Sequence, residues 1–293
     1  MAETPTVVTE PGELRDLARG WLRAGTTIGL TPTMGNLHAG HLSLMRRAVA
    51  ENRVVVASIF VNPKQFGPNE DFAAYPRTWE ADLAACAAAG VPVVFAPRPA
   101  QMYPPGFATA VDVEALTAGL CGASRPGHFR GVATVVARLH GLVLPTRAYY
   151  GEKDYQQLQV IRRMNADLGL GVEVIGMPIV REPDGLALSS RNQYLDAAQR
   201  QAATCLKRGL EAAVRLAERG VRPAARLEDA AARVIEAEPL ATLDYATLVD
   251  PESLVPMAAL DQTGRLCLAA RIGPARLIDN CALEPGAPIA GAF

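Results

Sequence analysis

The chain has 293 residues, 49% of them hydrophobic, and its 29 basic and 30 acidic residues leave a net charge of −1. That length suits about two domains with a full core, and well-mixed charge excludes a broad basic face for nucleic acid. No apolar run approaches the ~20 residues that cross a bilayer, and "MAETPTVVTE" has no basic segment followed by an apolar one, so a cytoplasmic protein with no membrane or nucleic-acid partner is expected.

In chain order, residues 9–24 carry an N-cap candidate, early acidic residues and apolar positions at helical spacing, which predicts an opening helix. "TTIGLTP" predicts a strand, "AGHLSLMRRAVAEN" a helix, "RVVVASIFVNP" a buried strand, "WEADLAACAAAG" a helix closing on Gly90, and "VPVVFAP" another buried strand. "VATVVARLHGLVLP", "RAYYG", "YQQLQVIRRMNADLG" and "VEVIGMPIV" continue the alternation of helix and strand. The alternation predicts an α/β fold, a Rossmann-like doubly wound parallel sheet with helices on both faces.

The pattern changes at "REPDG", residues 181–185. Two long helical stretches, 196–220 and 223–237, then precede "TLDYATLVD", "RLCLAARI" and "ARLIDNCAL", which read as antiparallel strands. The expected organisation is a first domain over 1–183 and a smaller α+β domain over 184–293.

Five cysteines without a CxxC or a Cys/His cluster argue against a disulfide framework and a zinc site. Among the cations only Lys64, Lys153 and Lys207 are lysine, so each marks a position where a compact ammonium replaces the planar guanidinium.

Two of the four histidines, His38 and His41, stand in "TPTMGNLHAGH" just after the predicted strand. In an open α/β sheet, ligands bind beyond the carboxyl ends of strands, where helix N-termini offer amides and a positive dipole end. Gly35 and Gly40 let backbone approach a ligand, and both imidazoles can donate to phosphate oxygens. Surface histidines, a capping and packing role, and a metal pair are the competing readings. Three further segments carry chemistry. "YYGEKDYQQL" sets Lys153 and Asp154 ahead of Gln156 and Gln157, against the alternative of a solvated charged turn. "LALSSRN" sets two hydroxyls before Arg191, against a helix cap. "FVNPKQF" offers Asn62 and Gln65 to a small hydroxy acid, against an Asn-Pro turn with Lys64 exposed.

Assembled in this order, with "YPRT" and "RPGHFRGVATVV" between them, these segments resemble the pantothenate synthetase family, the pantoate and β-alanine ligases of the wider HxGH nucleotidyltransferase group. HxGH is shared widely; "FVNPKQF", "GEKDYQQ" and "LALSSRN" together are far more specific. The resemblance implies that ATP, accompanied by Mg2+, converts (R)-pantoate to a pantoyl adenylate, and that β-alanine then displaces AMP to give pantothenate. It implies a homodimer.

The same resemblance implies residue roles. Met34, Gly35, Asn36, Leu37, His38, Ala39, Gly40 and His41 would line the ATP site, with His41 as the catalytic acid and His38 beside it. Gly151, Glu152, Lys153 and Asp154, then Val180, then Leu188, Ser189, Ser190 and Arg191 would complete it. Gln65 and Gln157 would hold pantoate, with Gln65 also near β-alanine. His41, Lys153, Ser190 and Arg191 would supply fixed donors to the charge that builds on the phosphates. Asp82 is the one acidic residue in "WEAD" that matches a magnesium ligand, the triphosphate supplying most of the shell. Two other readings remain at this point: a transferase of the same fold with a phosphorylated acceptor, which would want more cations near Gln65, and a nucleotide sensor without turnover.

Overall fold

The computed structural model describes residues 4–68 and 70–286. They form two compact units, one reaching to residue 152 and taking in 157–178, the other made of 153–156 and the described residues from 179 on.

The first unit is built on six parallel strands: β1 (Thr6–Val8), β2 (Ile28–Thr33), β3 (Val54–Ile59), β4 (Val93–Phe95), β5 (Arg147–Gly151) and β6 (Glu173–Met177), in the order β1-β4-β3-β2-β5-β6. The central strands are buried almost throughout, as helices on both faces of a parallel sheet require. Helices α1 (Pro11–Arg23), α2 (Ala39–Glu51), α3 (Trp79–Ala88), α4 (Pro99–Met102), α5 (Leu120–Ser124), α6 (His128–Val143) and α7 (Tyr155–Asp167) connect them. Strand order reverses between β2 and β5, the position where such sheets open a crevice at their carboxyl ends. "MGNLHAGH" leaves the end of β2, "FVNPKQF" the end of β3, and "GEKD" the end of β5.

Two features depart from the sequence reading. Thr6–Val8, to which the sequence reading assigned no element, is an edge strand paired in parallel with β4; three residues are too short for a period to register. No side chain caps α1: the Glu10 carboxylate at the N-cap accepts from the Gln101 side chain and bonds no amide of the helix, and Pro11 opens the helix with its preset φ.

In the second unit, strands β7 (Ala241–Val249), β8 (Gly264–Ile272) and β9 (Ala275–Leu283) form an antiparallel sheet in sequential order. The stretch expected as one helix over 196–220 is two, α8 (Ala197–Ala202) and α9 (Cys205–Glu218). The Asp196 side chain accepts from the Gln199 amide to start α8, and the break at Ala203 and Thr204 lets both helices bury small residues in one core. Helix α10 (Ala224–Glu236) follows, and Leu206, Leu210, Leu227, Ile235, Leu266 and Leu268 are all fully buried there.

One ion pair is embedded in this unit. Both guanidinium nitrogens of Arg181 donate to the Asp279 carboxylate, at 2.6 and 2.9 Å, with the two side chains 10% and 1% exposed. Removing one partner strands a buried charge, so Asp279→Ala should lower unfolding free energy by about 3–5 kcal/mol. Urea unfolding followed by circular dichroism checks this; a loss under ~1 kcal/mol would mean that water reaches the guanidinium.

Candidate active site

The loop between β2 and α2 is held by one carboxylate. Asp82, in the first turn of α3 and 2% exposed, accepts from the Asn36 amide at 2.9 Å and from the Leu37 amide at 2.8 Å, one bond to each oxygen. Asn36 adopts a left-handed φ of 51° and Gly35 one of 80°. A Cβ at Gly35 would stand 2.9 Å from the Asp82 carboxylate, so only glycine lets the carboxylate reach the next two amides. Thr33 ties the loop to the sheet: its hydroxyl donates to the Ser58 carbonyl at 2.8 Å and accepts from the Gly35 amide at 3.2 Å. Asp82, the candidate magnesium ligand, thus serves the loop.

The histidines complete the helix start. His38 is the N-cap of α2, its Nδ1 accepting from the Gly40 amide at 3.2 Å, while His41 Nδ1 accepts from the His38 amide at 3.3 Å. A backbone N–H can only donate, so each Nδ1 is an acceptor and the ring proton of the neutral imidazole sits on Nε2. The rings lie 4.1 Å apart between centroids, which makes two Nε2–H donors a pair at the positive end of α2. The capping reading of His38 therefore holds as geometry. It also changes the expected anion cradle: the amides of Gly35, Asn36, Leu37, His38 and Gly40 are bonded to the protein's own acceptors, so imidazoles present the donors.

Gln65 is joined to this loop. Its amide nitrogen lies 3.3 Å from Met34 Sδ, and its side-chain oxygen accepts from Asn62 at 3.0 Å. Asn62, 1% exposed, also donates to the Gly131 carbonyl at 3.1 Å and accepts from the Lys64 amide and the Tyr103 hydroxyl. The Asn-Pro turn and the exposed Lys64 are both present, with the ammonium 4.9 Å from the Tyr103 ring centre. Gly131 allows α6 to touch the turn: a Cβ there would stand 2.1 Å from the Lys64 carbonyl oxygen.

Arg125 and His128 order the Gln65 turn from behind. Arg125 forks onto Glu70 with two bonds of 2.7 Å and meets His128 Nε2 at 3.0 Å, and His128 Nδ1 reaches the Gln65 carbonyl at 2.8 Å. Sequence reasoning missed Glu70 and Asn62 as supports, since neither stands in a pattern that signals its distant partner.

Within the second unit the expected segments are also paired. The Leu188 amide donates to the Val180 carbonyl at 3.0 Å, and Arg181 bridges Ala187, closing a narrow hairpin over 180–188. Ser189 caps the following 3-10 turn, its hydroxyl accepting from the Arg191 amide at 3.3 Å, and Ser190 and Arg191 lie in that turn. Lys153 lies in the 3-10 turn Glu152–Asp154, its ammonium 3.5 Å from the Asp154 carboxylate, with 20% of its side chain exposed. Gly151 ends β5, and Gln157 is half-buried in the first turn of α7. His140 is a core residue: burial pushes its pKa down to about 4, and Nε2 meets the Tyr150 hydroxyl at 3.0 Å.

A doubly wound sheet with an imidazole-capped HxGH helix start where strand order reverses defines the class as a nucleotide-binding α/β protein. The model of the family described as pantoate-beta-alanine ligase matches residues 6–282. Pantothenate synthetase of Geobacter sulfurreducens is 53% identical over 277 residues, 94% of this chain and 98% of the relative; that of Heliobacterium modesticaldum is 55% identical over 272 residues, 93% and 97% of the two chains. The crystal structure of the Thermus thermophilus pantothenate synthetase superposes with a TM-score of 0.88 at 51% identity, covering 94% of this chain and 98% of that one. A Francisella tularensis pantoate-beta-alanine ligase, solved with β,γ-ATP and β-alanine, gives 0.80 at 32% identity, covering 97% and 100%. The chain belongs to the pantoate-beta-alanine ligase family.

Two predictions test the supports. Asp82→Asn turns one acceptor into a donor facing an amide, and should lower the thermal midpoint equally in EDTA and in magnesium while cutting kcat/KM for ATP about tenfold or more. Repair of the rate by excess magnesium would make Asp82 a metal ligand instead. For Glu70, burial alone would raise the pKa, but the Arg125 bonds and charge hold it at about 2. A folded value below the ordinary 4.5 means that this support is full above pH 4.5 and fades as pH falls toward 2. The stability difference between wild type and Glu70→Gln, from urea midpoints between pH 6 and 2, should shrink through that window; a constant difference would deny the linkage.

Proposed function

We propose that this chain joins (R)-pantoate to β-alanine at the expense of ATP, through a pantoyl adenylate, releasing pyrophosphate and AMP. The observation that carries the reading is the pair of Nε2–H donors at the start of α2 with the Gln65 amide against Met34 of the same loop. In this reading the imidazoles serve the phosphates and the Gln65 amide a hydroxy acid, which suits a chain of the pantoate-beta-alanine ligase family.

The pantoate carboxylate needs no base to attack the α-phosphorus, since it carries no proton to lose. Charge builds on the non-bridging oxygens and on the departing pyrophosphate, where His41 and His38 donate through Nε2, and Lys153, Ser189, Ser190 and Arg191 add fixed donors. Met34 through His41, with Gly151, Glu152, Asp154, Val180 and Leu188, line the nucleotide in this reading, and Gln65 and Gln157 hold pantoate. The β-alanine amine then attacks the mixed anhydride, and AMP leaves with the electron pair of the broken C–O bond. Residues 184–293 act as a lid that brings Leu188–Arg191 to the triphosphate.

Magnesium enters with the nucleotide, whose charge it offsets. Among the described residues no group of three His, Cys, Asp or Glu side chains gathers as a metal set, and Asp82 is committed to two amides, so no residue is assigned to the ion. No helix among the described residues is long and apolar enough to cross a membrane. The family resemblance supports a cytoplasmic homodimer, which light scattering would read as twice the 31.1 kDa chain mass.

The deciding experiment follows pyrophosphate and AMP from MgATP and (R)-pantoate, with and without β-alanine. Stoichiometric pyrophosphate with pantoate alone, turning catalytic with AMP when β-alanine is added, is the expected result, and His41→Gln should slow the first step about a hundredfold. ATP binding without release in either mixture would favour a sensor or a different acceptor.

A further inference from the structure

Adjacent residues of a strand point to opposite faces of its sheet. Asp279 and Asn280 of β9 are both buried, at 2% and 3% exposure, which is unusual for two consecutive polar residues in a short antiparallel sheet. Leu277 and Cys281, the apolar neighbours of Asp279 along its face, belong to the helix-packed core. On that side Asp279 takes the guanidinium of Arg181, which also donates to the Gly185 carbonyl at 2.9 Å and so braces the 180–188 hairpin. On the other face Asn280 donates through Nδ2 to the backbone carbonyl of Lys153 at 2.9 Å. Its side-chain oxygen accepts from Arg265 Nε at 2.7 Å, and the Arg265 guanidinium lies 4.1 Å over the Tyr155 ring. The Tyr155 hydroxyl donates to the Pro251 carbonyl at 3.1 Å. Residues 153–156, which chain order places in the middle of the parallel-sheet domain, are thereby part of the second unit.

We infer that Asn280 is a positioning residue for Lys153, and that the Asp279–Asn280 pair couples the Lys153 turn and the hairpin that leads to Ser189–Arg191 through the two faces of one strand. This rests on the reading that Lys153 and Arg191 act on ATP. An ammonium on a four-carbon stem is aimed only as well as its backbone is anchored. The Asn280 bond anchors that backbone, and the arginine–tyrosine stack holds the residue two positions on. The arrangement places Lys153 and Ser189–Arg191 in one mechanical body, so that they move together.

Asn280→Asp is the test, because it keeps the shape, replaces the donor to Lys153 with an acceptor, and sets the carboxylate it introduces against the Arg265 guanidinium, which offsets its charge. We expect the ATP KM to rise and kcat to fall, together about tenfold in kcat/KM, with the pantoate and β-alanine KM values within twofold of wild type and a thermal midpoint close to it. In a Lys153→Ala background the same change should cost nothing further, because the ammonium it aims is gone. An independent tenfold loss in that background, or a change of melting temperature with no kinetic effect, would overturn the positioning role while leaving the ATP assignment intact. Unaltered kinetics in Lys153→Ala alone would overturn the ATP assignment, and this inference with it. Should Asn280→Asp fail to fold, Tyr155→Phe cuts a second tie of the same turn and should give the same pattern at about threefold; its absence would equally overturn the proposal.

Discussion

A backbone that turns through two left-handed residues exposes its amides, and buried amides must find acceptors. The Asp82 carboxylate meets that demand for Asn36 and Leu37, and the rest of the HxGH region depends on it. Once those amides are held, His38 arrives at the N-cap of α2 with its ring folded back on Gly40, and His41 folds back on His38. The rings cannot turn over without giving up an Nδ1 bond, so each neutral ring keeps its proton on Nε2. A negative charge at 2% exposure is costly alone, but here it is offset by two charge-assisted bonds and by the N-terminal end of α3.

The same arrangement recurs around Gln65. Asn62 uses both ends of its amide, Gly131 removes a Cβ so that α6 can close on the turn, and His128 with Arg125 holds the carbonyl. In the second unit, the equivalent supports come from the last strand, more than a hundred residues after the turn that carries Lys153. The histidine loop, the Gln65 turn and the Lys153 turn thus each rest on a polar residue from another element. Local sequence motifs supply the ligand-facing atoms, and distant buried polar side chains supply their aim.

Much of this was legible in the chain. Apolar, β-branched runs such as "RVVVASIFV" read as strands buried on both faces, and their alternation with helical periods predicted the doubly wound sheet that is present. The three C-terminal segments also read as antiparallel strands, as they are. What was not legible has physical causes. Thr6–Val8 is too short to show a period, the break between α8 and α9 interrupts a stretch whose composition is helical throughout, and Asp82 looks the same in sequence whether it meets an ion or two amides.

The sequence alone determined which groups can meet phosphate and a hydroxy acid, because imidazoles, ammonium, hydroxyls and amides are covalent properties of residues set beside glycine turns and strand ends. Only the tertiary structure decided the ring tautomers, the commitment of Asp82 to the loop, and the joining of Lys153 to Asn280. The tautomers follow from bonds two and three positions apart once the loop is held, and the other two depend on contacts between residues 46 and 127 positions apart. Such contacts arise when burial leaves polar groups without water and each must take the partner that packing brings within about 3 Å.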